Sequence, residues 1–264
     1  MDPRPIGIFD SGAGGLTALR ALRRIMPGEN CIYFGDTARV PYGGRPVSEL
    51  RALAASDSGL LRARGVKAIL VACGTISSNC LEYAEGGGVP AVGVLLSSAR
   101  EAAQLTKNGR IGVLATVATA RSGSFERAIG SFLPGAEVVC SGSPLLVPLV
   151  EAGRVSPEDE GVAAAVSEAL APLLDAGIDT LVLGCTHFPL LADTIARFAP
   201  GVETVDSGAA GARAMAALIA EKGLAADRAE GGCEFLASAD PDAFARNARR
   251  FLGGEIRVAQ ARAL

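Results

Sequence analysis

Two cysteines of this chain follow similar apolar runs. Cys73 comes after residues 69–72 and Cys185 after residues 181–184, and a threonine follows each thiol within two residues. Both runs are short and rich in β-branched residues, as in a strand of an α/β unit. A thiolate can remove a proton and a thiol can donate one. Two thiols on opposite sides of one carbon would therefore suit moving a proton across a stereocentre.

His187 and Asp10 are the side chains that we expect to assist these thiols. His187 is the only histidine of the chain, and an imidazole can exchange a proton near neutral pH. Asp10 ends an apolar run before Ser11 and a glycine-rich turn. Its carboxylate could orient a substrate ammonium or poise the first thiol, or it could cap a helix that starts near Gly15.

Strand-like runs alternate with helical stretches along most of the chain, which predicts an α/β fold with mostly parallel sheets. In such sheets, ligands bind at the carboxyl ends of the strands. The predicted strands are Pro5 to Phe9, Cys31 to Phe34, Val66 to Ala72, Ala91 to Leu95, Arg110 to Leu114, Ala136 to Cys140, Asp179 to Gly184 and Val202 to Val205.

An internal duplication is indicated by the matching starts of two halves, at residues 7–11 and 112–116. Residues 205–211 resemble residues 9–15, so the C-terminal part of the chain is expected to rejoin the first half. We therefore expect two pseudo-symmetric α/β lobes with the active site in the cleft between them. The first lobe would comprise residues 1–96 plus 207–264, and the second residues 97–206.

The first helix is predicted from one apolar face. Leu16, Leu19, Leu22 and Ile25 recur at helical spacing, and arginines lie elsewhere on the turn.

Composition bounds the class of protein. The 264 residues are 49% hydrophobic with 33 glycines, which fits a folded α/β enzyme of roughly two domains. No apolar stretch reaches the ~18 residues of a membrane span, and no signal peptide is apparent, so we expect a cytoplasmic protein with reduced thiols. The net charge of −3 and the lack of a basic run do not indicate a surface that binds nucleic acid.

Other kinds of site are disfavoured by the spacing of residues. Thr17 replaces the third glycine of a dinucleotide-binding loop, and no phosphate-loop motif is present. No C-x-x-C or H-x-x-x-H pair supports a metal site or a thiol redox motif. The remaining cysteines are expected to be ordinary structural thiols: Cys31, Cys80, Cys140 and Cys233.

Five motifs in order make the first 210 or so residues resemble the glutamate racemases. They are Phe9 to Leu16, Tyr33 to Gly43, Ala72-Cys73, Pro148 to Glu151 and Leu183 to Leu190. The resemblance implies a racemase that needs no cofactor and no metal, in which Cys73 takes the Cα proton from D-glutamate and Cys185 takes it from L-glutamate. It further implies that Asp10 assists Cys73 and that His187 assists Cys185.

The same resemblance suggests roles for further residues. Glu151 matches a third family carboxylate, and Asp36 could either support catalysis or bond within its own loop. Gly74 occupies the position of a family asparagine that contacts the substrate, so that polar contact is missing here. The expected substrate-binding positions are Ser11, Tyr42, Gly43, Gly74, Thr75, Thr116, Thr119 and Thr186.

Racemisation of glutamate for bacterial cell-wall synthesis is therefore the leading hypothesis. Replacement of the asparagine by Gly74 leaves two alternatives: an aspartate racemase, or a binding or regulatory protein on the same scaffold. Family analogy and the general frequency of twofold assemblies favour a homodimer.

Overall fold

A computed structural model describes residues 2–261 as alternating strands and helices. The strands are β1 (Ile6–Asp10), β2 (Cys31–Gly35), β3 (Ala68–Val71), β4 (Ala91–Gly93), β5 (Arg110–Ala115), β6 (Glu137–Gly142), β7 (Thr180–Leu183), β8 (Glu203–Asp206), β9 (Cys233–Ala237) and β10 (Val258–Gln260). The α-helices are α1 (Leu16–Ile25), α2 (Val47–Ala63), α3 (Gly74–Asn79), α4 (Val94–Leu105), α5 (Val117–Arg121), α6 (Ser124–Phe132), α7 (Leu146–Glu151), α8 (Glu160–Asp175), α9 (Ala192–Phe198), α10 (Ser207–Glu221) and α11 (Pro241–Leu252).

These strands form two sheets. One has the order β10-β9-β2-β1-β3-β4, and the other has the order β6-β5-β7-β8. Every pairing between the named strands is parallel. The predicted α/β class with parallel sheets is therefore confirmed.

All eight predicted strands are present, and their ends differ from the prediction by at most two residues. The two C-terminal strands were not predicted. Strand β9 follows a pair of glycines, and β10 has only three residues with little burial, so neither shows a clear apolar pattern. Pairing with β2 places β9 in the first sheet.

An internal repeat is visible in the strand orders, since β2-β1-β3-β4 corresponds to β6-β5-β7-β8. Equivalent hydrogen bonds follow the strands: the Ala72 N–H donates to Phe9 O at 3.0 Å, and the Gly184 N–H donates to Leu114 O at 2.8 Å. Gly65 and Gly177 follow α2 and α8 with positive φ angles of 71° and 68°, a common way to end a helix.

The chain divides into two compact units. The first contains the residues up to Val94 and those from Gly208 onward, and the second is Leu95–Ser207. The divisions thus fall one residue into α4 and one residue into α10, compared with the expected divisions at 96/97 and 206/207. The six-stranded sheet belongs to the first unit and the four-stranded sheet to the second.

A buried cluster in the first unit packs one face of its sheet against α2. It includes strand residues, helix residues and two candidate site residues: Phe9, Phe34, Val71, Leu53, Leu61, Tyr42 and Cys73.

The predicted apolar face of α1 is wrong at its last position. Leu16, Leu19 and Leu22 are buried, whereas Ile25 is 44% exposed. Each step of three residues falls about 60° short of a full turn, so three steps carry Ile25 to about 180° from Leu16.

Within residues 2–261, no helix combines the length and the apolar character needed to cross a membrane.

Candidate functional site

The first thiol lies just beyond the carboxyl end of β3. Cys73 follows the last residue of β3 by two positions, occupies the position just before α3, and is 3% exposed. The hydrogen bond from Ala72 to Phe9 aligns this loop with the end of β1, where Asp10 and Ser11 follow. The structure therefore brings three predicted residues of the first unit together.

Burial dominates the electrostatics of this thiol. It raises the pKa of Cys73 well above the ordinary value, and the charge of Asp10 raises this pKa further. Backbone N–H groups of Ile76, Ser11 and Thr75 act in the opposite direction. These N–H groups favour the thiolate, but they do not outweigh burial. The resting form of Cys73 is therefore the thiol.

Asp10 lies close to the first thiol and also bonds within the turn that precedes α1. Its carboxylate acts on Cys73, and its Oδ2 accepts the N–H of Gly15 at 2.7 Å, at the residue before α1. A side chain at Gly15 would crowd this contact, because an added Cβ would lie 2.8 Å from the Cβ atoms of Asp10 and Ala72. Glycine at position 15 thus permits the close approach that fixes the Asp10 carboxylate.

The segment after β2 holds Asp36 and Tyr42 in its own hydrogen-bond network. Asp36 Oδ2 accepts Arg39 Nε at 2.6 Å and the Tyr42 hydroxyl at 2.5 Å. Of the two roles considered for Asp36, bonding within the loop is therefore observed. The Tyr42 hydroxyl is buried in this network, which leaves the backbone of Tyr42 and of the exposed Gly43 as the groups that could reach a ligand.

Asp57 completes this network and was missed by the sequence argument. It lies in the middle of α2, is 0% exposed, and contacts the Tyr42 hydroxyl through Oδ2 at 2.6 Å. Arg39 Nη2 donates to Asp57 Oδ1 at 2.7 Å. No local motif marks Asp57, since it lies 15 residues beyond Tyr42 in the chain.

The second thiol has an imidazole and a carboxylate in line with it. Cys185 follows the last residue of β7 by two positions, as Cys73 does after β3, and it is 9% exposed. His187 Nδ1 lies 3.7 Å from Cys185 Sγ, and His187 Nε2 lies 3.3 Å from Glu151 Oε1. A thiol, an imidazole and a carboxylate in this order could pass a proton along the line.

The predicted hydroxyl groups of the second unit lie shortly after strand ends, in a loop or in the helix that follows. Thr116 follows β5 and caps α5, and its Oγ1 bonds to Thr119 Oγ1 at 3.1 Å. Thr186 is buried between Cys185 and His187 in the chain. In the first unit, Gly74 and Thr75 form the first turn of α3 directly after Cys73.

The other thiols have environments that keep them protonated. Burial raises the pKa of Cys31 to about 12, of Cys80 to about 11 and of Cys140 to about 12. Burial also raises the pKa of Cys233. Across the part of the chain that the structure describes, no group of three His, Cys, Asp or Glu side chains could hold a metal ion.

Comparison with known proteins gives consistent matches. A model of the Asp/Glu/hydantoin racemase family matches residues 18–215. A glutamate racemase of Thermus thermophilus is 41% identical over 251 residues, which cover 94% of this chain and 93% of the relative. A solved glutamate racemase isoform of Bacillus anthracis has a TM-score of 0.93 at 33% identity, covering 99% of this chain and 98% of that one. The Francisella tularensis glutamate racemase, solved with D-glutamate, has a TM-score of 0.89 at 32% identity, covering 99% and 97%.

Proposed function

The chain belongs to the Asp/Glu/hydantoin racemase family, and from this membership we propose that it interconverts L-glutamate and D-glutamate. The resemblance to glutamate racemases inferred from five motifs is thereby confirmed. The observation that carries the proposed reaction is the pair of thiols at equivalent strand ends, each with its own proton-handling neighbour.

The reaction transfers a proton away from one face of Cα and delivers another to the opposite face. With D-glutamate, the Cys73 thiolate removes the Cα proton and the Cys185 thiol donates a proton to the other face. The products are L-glutamate, a Cys73 thiol and a Cys185 thiolate. With L-glutamate the two sulfur atoms exchange roles, so no cofactor is needed to balance the reaction.

Each thiol has a neighbour that can set its protonation state. Because the resting Cys73 is a thiol, it must lose a proton before it acts as a base, and the Asp10 carboxylate beside it is the nearby acceptor. At the second thiol, His187 can accept or return the proton of Cys185, while Glu151 lies beside the other ring nitrogen and orients the ring.

Hydroxyl and backbone N–H groups are proposed to bind the substrate. Removing the Cα proton builds negative charge next to a carboxylate, and preorganised hydrogen-bond donors lower the energy of that state. Tyr42 and Gly43 would act through their backbones, because the Tyr42 hydroxyl is already bonded to carboxylates. The side chains proposed for binding are those of Ser11, Thr75, Thr116, Thr119 and Thr186, and Gly74 would supply only its backbone.

In the cell, the proposed enzyme supplies D-glutamate for peptidoglycan and acts as a cytoplasmic homodimer. Size-exclusion chromatography with light scattering would test the homodimer directly, and a monomer at assay concentration would exclude it.

A chiral assay in deuterated water tests the reaction and its specificity together. Purified protein is incubated without added cofactor with each enantiomer of glutamate and of aspartate, and the products are separated by chiral chromatography with mass detection. Inversion of glutamate with deuterium at Cα supports the proposal and shows that Gly74 is tolerated. Activity on aspartate alone would change the substrate, and no exchange on any of the four would contradict racemisation.

A further inference from the structure

The Tyr42 hydroxyl lies between two buried carboxyl groups. Its oxygen is 2.5 Å from Asp36 Oδ2 and 2.6 Å from Asp57 Oδ2. Both aspartates are fully buried, so water does not separate them from the phenol. These are hydrogen-bond distances, and each needs one hydrogen atom along it.

Counting hydrogen atoms shows that one carboxyl group carries a proton. A phenol has one O–H and can donate to only one of the two aspartates. The second contact therefore needs a hydrogen that belongs to a carboxyl group. With one aspartate neutral, the other balances the single positive charge of Arg39, which donates to both aspartates.

Asp57 Oδ2 is the atom that best carries this proton. Asp36 Oδ2 already accepts hydrogen bonds from Arg39 Nε and from the phenol, so this oxygen acts as an acceptor in both contacts. Among residues 2–261, the hydrogen-bond partner of Asp57 Oδ2 is the phenol oxygen, and Arg39 bonds instead to the other oxygen of Asp57. Burial and the nearby charge of Asp36 raise the pKa of Asp57 to about 7, while Tyr42 and Arg39 lower it.

The network fixes the segment from Asp36 to Gly43 to the body of the first unit. Asp57 belongs to α2, and Arg39 also donates to Ser56 Oγ of the same helix at 3.3 Å. At its start, the segment is tied to the end of β1 by the Asp36 N–H, which donates to Asp10 O at 3.0 Å. Loss of the contact between Tyr42 and Asp57 would loosen the Tyr42 end of the segment, where Arg39 would remain as its link to α2.

We propose that Asp57 is a positioning residue of the racemisation, whose neutral carboxyl group donates to Tyr42 and so holds the Tyr42–Gly43 backbone in place to bind glutamate. This role rests on the proposed function. An ionised Asp57 cannot donate to Tyr42, so two carboxylates would compete for one phenol hydrogen and the segment would loosen. The expected consequence is weaker substrate binding above the pH at which Asp57 loses its proton, without a matching change in the chemical step.

Asp57→Asn is the informative variant. An asparagine side chain has one donor and one acceptor group in nearly the shape of a neutral carboxyl group, and it cannot ionise. Asp57→Ala removes both groups. Asp175→Asn, at the exposed end of α8 in the second unit, controls for a general effect of replacing an aspartate.

KM and kcat for both glutamate enantiomers are measured from pH 6 to pH 9. The wild-type KM should rise above pH 7 by about three- to tenfold, as expected for the loss of one ordinary hydrogen bond. Asp57→Asn should keep the wild-type pH 6 value throughout, whereas Asp57→Ala should have the raised KM at every pH with kcat little changed. Asp175→Asn should follow the wild type.

Two results would overturn the proposal: a KM of Asp57→Asn that rises with pH as the wild-type KM does, or a KM of Asp57→Ala equal to that of the wild type at pH 6. Hydrogen exchange of residues 38–46 at pH 6 separates this proposal from the reaction itself. Faster exchange in Asp57→Ala but not in Asp57→Asn supports the positioning of the segment even if the wild type turns over no glutamate. Equal exchange in all variants contradicts it.

Discussion

Equivalent backbone positions at the two thiols carry different proton-handling side chains. Asp10 ends β1, but the equivalent end of β5 is Ala115, which cannot exchange a proton. Two residues after each thiol, the first unit has Thr75 and the second has His187. The duplicated fold therefore places the sulfur atoms alike, while a carboxylate lies beside one of them and an imidazole beside the other.

Replacing either thiol by alanine should stop inversion, because each direction needs one base and one acid. We expect racemisation to fall by about 10²- to 10⁴-fold or more in Cys73→Ala and in Cys185→Ala. In deuterated water, Cys185→Ala should still exchange the Cα proton of D-glutamate without inverting it, and Cys73→Ala should do so for L-glutamate. Cys140→Ala is the control for the loss of a thiol. Inversion at the wild-type rate in Cys73→Ala or in Cys185→Ala would contradict the two-base reaction.

His187 should matter more than the carboxylate behind it. His187→Asn removes the proton-exchanging ring and should lower kcat/KM by about 10²- to 10⁴-fold. Glu151 is 52% exposed, so water screens its contact with the ring and Glu151→Gln should lower kcat/KM about tenfold or less. Initial rates by circular dichroism measure both variants.

The two directions of this reaction provide an internal check. Enantiomers have equal free energy, so kcat/KM must remain equal in the two directions for every variant.

A larger loss of kcat/KM in Glu151→Gln than in His187→Asn would contradict the assigned order, in which the imidazole acts on the thiol and the carboxylate acts on the imidazole.

At the scale of elements, the sequence was most informative where apolar runs end on reactive side chains. Both thiols could be placed because parallel strands bring their carboxyl ends to one edge of a sheet. The network around Tyr42 could not be predicted in this way, because Asp57 looks like any polar residue of an amphipathic helix. Only the folded contact between α2 and the segment after β2 reveals its role.

Burial was also hard to predict from local patterns. A cysteine at the start of a helix suggests a stabilised thiolate, but the cost of burial is set by the whole neighbourhood and keeps Cys73 protonated. Strands β9 and β10 were missed for a related reason, since pairing with a distant strand rather than a local apolar pattern places them in the sheet.

A side chain at position 15 should destabilise the turn between β1 and α1. Gly15→Ala would place a Cβ 2.8 Å from atoms of Asp10 and Ala72, so the turn must shift and Asp10 would lose its hydrogen bond. We expect about 1 to 3 kcal/mol of lost stability from this overpacking, with reduced racemisation. Thermal unfolding and chiral assay measure the two effects.

Gly12→Ala is a matched control for the stability of this turn, because a Cβ at Gly12 would meet nothing within 4 Å. Its melting temperature should stay near that of the wild type. Equal melting temperatures for Gly15→Ala and Gly12→Ala would show that close packing at Gly15 is not needed.

For the whole molecule, the duplication is unequal because the chain returns to its first unit. The second sheet has the four repeated strands, whereas the first has the same four plus β9 and β10 from the C-terminal part. Strand β9 pairs with β2, and the Ala38 N–H donates to Ser238 Oγ just beyond β9 at 2.8 Å. The added strands thus support the segment that carries Tyr42, a support that has no counterpart in the strand order of the second sheet.

Stability of the folded protein should depend on pH through Asp57. Its pKa is about 7 in the folded protein, above the ordinary value of 3.8, so between these values the folded form holds a proton that the unfolded chain has lost. This contribution is complete below about pH 4 and is lost as the pH rises through about 7. Asp57→Asn keeps the neutral hydrogen bonds at every pH, so its melting temperature should match that of the wild type near pH 4. At pH 8.5 it should exceed the wild-type value by on the order of 10 °C, because a pKa displacement of about three units corresponds to about 4 kcal/mol. Calorimetry across this range tests the prediction, with Asp175→Asn as the control. If the difference in melting temperature between Asp57→Asn and the wild type did not change with pH, Asp57 would carry no proton in the folded protein.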